Sequence, residues 1–314
     1  GCAVRPLSCP ERRFPSRSGA LSGLGTTIRC PLSALGEGRE GGGQTGRMRT
    51  ELASETGGPA RPNEDFAAVA LPASGRGGAV GVLDGGTPPR GETGCLHSVP
   101  WYTARLGGAL TELTVSLPDV PLTEALSRAI TRTARAHEQT CDLSHPRTPQ
   151  ATVVVARWSQ DSLDYLVLSD SALLLEAPDG AVTAVLDDRL SRLPRALLAT
   201  DAIIDSTVRN KEGGFFTAAA DPAVAARAVT GSVPRDEVRA LLALSDGAAR
   251  WVETFHEGDW ADCLRLVRKE GATALVERVR ALERADAETR THLLRSKIHD
   301  DATAVYAELP TARG

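Results

Sequence analysis

Between residues 60 and 309 the chain is a succession of short apolar runs that alternate with helical patterns arriving in pairs, and this order limits the folds open to it. Runs 66–71 and 79–83, joined by the Gly-rich turn Ser74-Gly-Arg-Gly-Gly78, predict a hairpin. Helical periodicity follows over 101–113 and 122–138, the second stretch placing Leu122, Leu126, Ile130 and Ala134 on one face. Four more apolar runs, 151–158, 163–168, 172–176 and 181–186, read as an antiparallel meander, with Ala177-Pro-Asp-Gly180 supplying turn chemistry. Further on, the pattern predicts helices over 190–209 and 222–229, a strand over 238–244, helices over 260–268 and 272–285, and a closing strand over 303–309. Antiparallel strands with paired helices between them indicate an α+β layered domain, not a strictly alternating parallel one. No internal repeat is visible.

Composition narrows the function classes. A chain of 314 residues that is 41% hydrophobic and 24% charged is neither collagen-like, coiled-coil nor wholly disordered. A formal net charge of -4 argues against a protein whose main work is coating nucleic acid or an anionic membrane surface. No run approaches the ~18 apolar residues that span a bilayer, so integral membrane association is not expected. The six cysteines form no C-x-x-C pair, and a reducing, cytoplasmic setting is expected. Cys95 and Cys141 read as small buried or surface hydrophobes, and His97, His137, His256, His292 and His299 lack an H-E-x-x-H pattern and read for the most part as surface residues, His299 gaining interest only from its neighbour Asp300. Arg, Glu and Asp alternate over 265–290, which predicts an ordinary solvated helix face.

Residues 1–47 differ from the rest, being rich in Gly, Arg, Ser and Pro without hydrophobic period. They are expected to be disordered and to be translated upstream sequence ahead of a natural start at Met48, the only methionine. A basic tail that docks on an acidic partner is the rival reading. Residues 48–314 are expected to form a single domain.

The chemistry is carried by carboxylates at predicted strand ends. They occur in Arg61-Pro-Asn-Glu-Asp65, Gly81-Val-Leu-Asp84-Gly-Gly86, Leu168-Ser-Asp170-Ser, Ala243-Leu-Ser-Asp246-Gly247 and His299-Asp300-Asp301-Ala-Thr303. Two of these Asp residues precede Gly, which lets backbone approach a ligand closely. Several carboxylates on different strands, with no matching Cys or His cluster, suit Mg²⁺ or Mn²⁺ held by oxygen. Two such ions ~3.5 to 4 Å apart can activate water and neutralise a phosphoryl group. Each motif alone is also explained by turn capping, since Asp-Gly is a common turn dipeptide.

In order, the set N-E-D, V-L-D-G-G, S-D-S, L-S-D-G and H-D-D-A-T resembles the metal-dependent Ser/Thr protein phosphatases of the 2C or PPM family, bacterial type, over about residues 60–309. The resemblance implies a four-layer αββα sandwich of two antiparallel sheets with helices outside and a metal centre at one end. It implies that Asp84 bridges two Mg²⁺ or Mn²⁺ ions, that the Gly85 carbonyl serves the second, and that Asp246 and Asp300 complete the first. Asp301 competes with Asp300 for that role. Glu64 and Asp65 would hold metal-bound water, and Asp170 would support a third, weaker ion, as in bacterial members.

The implied activity is hydrolysis of phosphoserine and phosphothreonine esters on a phosphorylated protein, by a metal-bridged water positioned by Asp84, in a monomeric cytoplasmic enzyme. Arg61 would grip the phosphate, although it lies four residues before Asp65 where the family usually has five. Gly86 stands where some members carry a His proposed as general acid, Ser169 replaces the usual Gly, and Asp301 the usual Asn. The S-R-A-[FL]-G-D stretch is not visible, and Lys211-Glu-Gly-Gly-Phe-Phe216 lies in that region. These departures leave open a catalytically weak regulatory or binding module on the same fold, and a small phosphorylated metabolite as substrate.

Overall fold

A computed structural model of the chain describes residues 26–29, 48–59, 61–72, 77–88, 91–289 and 298–310. The strands, in chain order, are β1 (Thr26–Arg29), β2 (Arg49–Glu55), β3 (Phe66–Ala70), β4 (Gly78–Leu83), β5 (Val153–Trp158), β6 (Ser162–Leu168), β7 (Ala172–Glu176), β8 (Val182–Leu186), β9 (Val229–Pro234), β10 (Ala240–Leu244) and β11 (Ala302–Glu308). The helices are α1 (Val99–Ser116), α2 (Leu122–Arg135), α3 (Asp201–Ile203), α4 (Asp246–Glu253), α5 (Trp260–Glu270) and α6 (Ala272–Thr289).

All pairings are antiparallel and fall into two sheets, one ordered β1-β2-β11-β10-β7-β8 and the other β3-β4-β5-β6-β9. The two-residue period of each strand decides which layer a side chain serves. Val153, Val155, Leu166 and Leu168 point outward and pack under α1 and α2 with Tyr102, Leu106, Leu126 and Ile130. Their neighbours Val154, Ala156 and Val167 point inward, against Leu173, Leu175, Leu241, Ala243 and Val305 of the other sheet. On that sheet's far face Leu174, Leu242, Leu244 and Tyr306 meet Leu264, Val267, Leu275 and Val279 of α5 and α6. The result is the expected αββα sandwich, and a strand covered on both faces explains why these runs are continuously apolar.

The structure departs from the sequence reading in several places. The four runs from 151 to 186 are not one meander: β5 and β6 lie in the five-stranded sheet, whereas β7 and β8 lie in the other. The chain changes sheet at Ser169-Asp170-Ser171, where Ser169 takes φ +70°. That is the left-handed region that favours glycine. The helix expected over 190–209 is broken into a 3-10 turn (Arg195–Leu198), the single turn α3 and a π turn (Ile204–Val208), and 222–227 is 3-10. Pro194 interrupts the first of these stretches. Strands β2 and β9 and helix α4 have no counterpart in the sequence reading. The face of α6 is not simply solvated: Arg280, Glu283 and Asp286 are buried, because the helix turns them onto α4 and β2. Within the stretch expected to be disordered, Thr26–Arg29 form β1 against Glu51–Ser54, and the rest of 1–47 lies outside the described residues.

Candidate active site

Antiparallel register sends five strand ends to one edge of the sandwich. Phe66 pairs with Leu83, and Val153 with Leu168, which puts the start of β3 and the ends of β4 and β6 side by side. In the other sheet Leu244 pairs with both Ala172 and Ala304, so the end of β10 lies between the starts of β7 and β11. Asp65, Asp84, Asp170, Asp246 and Asp300 sit within two residues of those ends and therefore share one site. The hydrophobic strands thus deliver carboxylates that none of them could gather alone.

Backbone and hydroxyl groups hold these carboxylates in place. Asp84 is fixed through its backbone, its N–H donating to Thr152 Oγ1 at 3.2 Å and its carbonyl accepting from the Thr152 N–H at 2.9 Å. Its Oδ2 accepts from the Asp246 N–H at 3.3 Å, at the N-terminal turn of α4. Gly85 bridges to Ala151, and a Cβ there would lie 2.5 Å from the Glu64 carbonyl oxygen, so only glycine fits. A Cβ on Gly247 would fall 1.9 Å from the Asp301 carbonyl oxygen, which explains the second Asp-Gly pair. Asp65 Oδ2 accepts from Thr303 Oγ1 at 2.6 Å, whereas its buried Oδ1 has no hydrogen-bond partner.

Asp300 and Asp301 are now distinguishable. Asp301 accepts from the Gly57 and Glu64 N–H groups, one on each carboxylate oxygen at 2.7 Å, and so pins the segment before β3 to β11. Asp300 Oδ2 accepts from Arg250 at 2.9 Å. Arg250 also pairs at 2.5 Å with Glu283, whose carboxylate is wholly buried and is shared with Arg280 at 2.6 Å and His299 Nδ1 at 3.0 Å. Helices α4 and α6 thereby orient Asp300 through a buried charge network.

Asp65, Asp84 and Asp170 are buried and crowded by one another and by Asp246, while the Arg250 cation is spent on Asp300 and Glu283. Burial, then the charges of Asp246 and Asp65, push the Asp84 carboxyl well above the usual range. Burial with Asp301 and Asp246 raises Asp65 to about 8, against the hydrogen bond from Thr303, and burial with Asp246 raises Asp170 to about 6. Glu253, at the other end of α4, is exposed, yet crowding of its carboxyl by protein atoms and the charges of Asp170 and Asp246 raise it to about 7. Sequence reasoning missed Glu253, Arg250 and Glu283, because α4 was not anticipated and the long-range pairing has no local signature. Such a set, with an orphaned oxygen on Asp65 and only oxygen donors, is a site that a hard divalent cation fits.

Beside the carboxylates lies a cleft of about 270 Å³ lined by Arg61, Glu64, Thr87, His299, Asp300 and Asp301. Glu64 Oε2 accepts from Thr87 Oγ1. Arg61 is exposed, and its guanidinium makes no ion pair among the described residues. Asp170 is not part of the cleft lining, and its neighbours include Asp246, Asp187 and Ser169.

Solved structures share this architecture. The Mycobacterium tuberculosis serine/threonine phosphatase PstP/Ppp superposes with a TM-score of 0.53 at 17% identity, covering 83% of this chain and 98% of its own. The serine/threonine phosphatase Stp1 from Staphylococcus aureus gives 0.51 at 14%, covering 87% and 98%, and a bacterial serine phosphatase gives 0.52 at 14%, covering 85% and 100%. No curated protein matches the chain by sequence. The sequence profile described as protein phosphatase 2C matches residues 60–293, the stretch that carries four of the five acidic motifs, and the chain belongs to the protein phosphatase 2C family.

Proposed function

We propose that this chain is a Mg²⁺- or Mn²⁺-dependent phosphatase that hydrolyses phosphoserine and phosphothreonine esters on proteins. The observation that carries the reading is the convergence of Asp65, Asp84, Asp170, Asp246 and Asp300 from both sheets beside a cleft lined by the Arg61 guanidinium. Asp84, Asp246 and Asp300, with the Gly85 carbonyl, are the groups we assign to hold two ions, Glu64 and Asp65 act on the water around them, and Asp170 serves a third. When bound, the ions supply Lewis-acid activation of water and charge neutralisation at phosphorus. The chain's own residues do the rest. Thr152 and the Asp246 N–H fix the Asp84 carboxylate, and Arg250 fixes Asp300. Arg61 offers a fork of donors to two phosphate oxygens. Asp301 holds Glu64 in place through its N–H.

A monomeric, cytoplasmic enzyme completes the reading. The test is hydrolysis of p-nitrophenyl phosphate and of phosphopeptides by the full chain, with Mn²⁺, Mg²⁺ or EDTA, beside Asp84→Ala and Asp246→Ala. Metal-dependent turnover that falls at least ~10³-fold in both variants is expected, given the scale of an electrostatic centre. Folded protein that turns over nothing with either metal points instead to a regulatory module, and a preference for small phosphate esters over phosphopeptides points to a metabolite substrate.

A further inference from the structure

Away from the acidic cluster, the segment between β4 and α1 meets the end of α2. There the sequence contributes Cys95-x-His97 from one side and His137-x-x-x-Cys141 from the other. Neither spacing is a C-x-x-C or H-E-x-x-H pattern, so the sequence alone does not mark a metal site here. Folding brings their donor atoms together. Cys95 Sγ lies 3.1 Å from Cys141 Sγ, 3.4 Å from His137 Nδ1 and 3.7 Å from His97 Nδ1, and Cys141 Sγ lies 3.4 Å from His97 Nδ1. All four donor atoms fall within 4.8 Å of one another. In a tetrahedron with metal–sulfur bonds of ~2.3 Å and metal–nitrogen bonds of ~2.0 to 2.1 Å, the ligand–ligand edges are about 3.3 to 3.8 Å, so the cluster has the dimensions of a ligand cage.

We propose that Cys95, His97, His137 and Cys141 form a structural zinc site, independent of the carboxylate centre. The donor set is the first reason. Two sulfurs and two imidazole nitrogens select zinc over Mg²⁺ or Mn²⁺, which prefer oxygen. The surroundings are the second. The Leu96 N–H donates to Cys141 Sγ and the His97 N–H to Cys95 Sγ, both at 3.4 Å, which suits thiolates. Trp101 stacks on His97 at 3.9 Å between ring centroids, and His137 is buried, so both imidazoles are held in orientation. A disulfide does not account for the geometry, because its S–S bond is ~2.05 Å and it leaves two histidines aimed at the sulfurs.

The site also has a structural purpose. It ties the segment that follows Asp84-Gly85-Gly86 to the one that leads to Gln150 and Thr152, whose backbones bond Gly86 and Asp84 at 2.9 Å. Zinc here fastens both flanks of the carboxylate-bearing turn without touching substrate.

The experiment is elemental analysis of tag-free, reduced full-length protein grown with added zinc, beside Cys95→Ser/Cys141→Ser. Wild type is expected to carry one zinc per chain and the double variant none. Cobalt exchanged into wild type should give the intense visible bands of a tetrahedral site with thiolate-to-metal charge transfer. That signature keeps the test decisive if the double variant fails to fold. His97→Ala, which leaves three ligands, should weaken zinc retention at least 10-fold in competition with a chromogenic chelator. Wild type without zinc, zinc retained equally by the double variant, iron or copper in its place, an octahedral cobalt spectrum, or a Cys95–Cys141 disulfide by mass spectrometry overturns the proposal.

Discussion

Replacing Asp65 by Asn separates what the acidic site costs the fold from what it does. Folding raises Asp65 from 3.8 to about 8, first by burial and then through Asp301 and Asp246. An acid whose folded value is raised is bound to its proton more tightly in the native state than in the unfolded chain. Between about pH 4 and 8 the native state therefore carries the extra proton, and stability declines as pH rises through that window. At ~1.36 kcal/mol per unit the ceiling is about 6 kcal/mol at pH 8. The proton is shared with neighbouring acids that shift together, so about 2–3 kcal/mol is expected to belong to this position. Asn keeps the side-chain shape and the acceptor for Thr303 Oγ1 but cannot ionise. In EDTA at pH 8, Asp65→Asn should be more stable than wild type by about 2–3 kcal/mol, or roughly 3–5 °C in Tm for a chain of this size. The advantage should vanish by about pH 4, where Asp65 is protonated in both states. With Mn²⁺ at ~100 times its Kd wild type should gain about 2.7 kcal/mol, and the variant less. The assay is thermal unfolding across pH 4–8 with EDTA or Mn²⁺. A stability difference that does not depend on pH, or a wild type more stable than the variant in EDTA at pH 8, refutes the reasoning.

Other perturbations follow from the same contacts. Arg250→Met removes one cation from wholly buried Glu283 and a cation from Asp300; with Arg280 and His299 remaining, urea unfolding should show a loss of about 3 kcal/mol, and a loss under about 1 kcal/mol would discount the network. Gly247→Ala sets a Cβ 1.9 Å from the Asp301 carbonyl oxygen and should cost about 1–3 kcal/mol while displacing Asp300, so its turnover should fall more than its stability. Gly108→Ala, in α1 with nothing within 4 Å, should instead stabilise by about 0.5–1 kcal/mol with turnover unchanged, and serves as the matched control.

How much was legible depended on whether the signal was local. The five Asp motifs were readable because each joins an apolar run to a carboxylate within a few residues. The hairpin of β3 and β4 was readable from its Gly-rich turn. Over 151–176 the same kind of reading failed to assign sheets, because strands covered on both faces carry apolar residues at every position, and alternation no longer says which layer lies on which side. The change of sheet at Ser169 was invisible, since a serine at φ +70° does not announce itself as a glycine would. Glu253, Arg250 and Glu283 stayed hidden because charged residues on helices are ordinarily solvated, and only the packing of α4 against α6 buries the last two. The cysteines and histidines show the same limit most plainly. Two short spacings, 40 residues apart, gained meaning when β4, α1 and α2 brought them face to face. By itself the sequence determined the layered α+β class and the placing of acids at strand ends, since those follow from residue type and short spacing. The tertiary structure alone decided which acids meet, which are pinned by backbone, and that two sulfurs and two imidazoles share one corner, because proximity between distant segments is set by sheet register and helix packing.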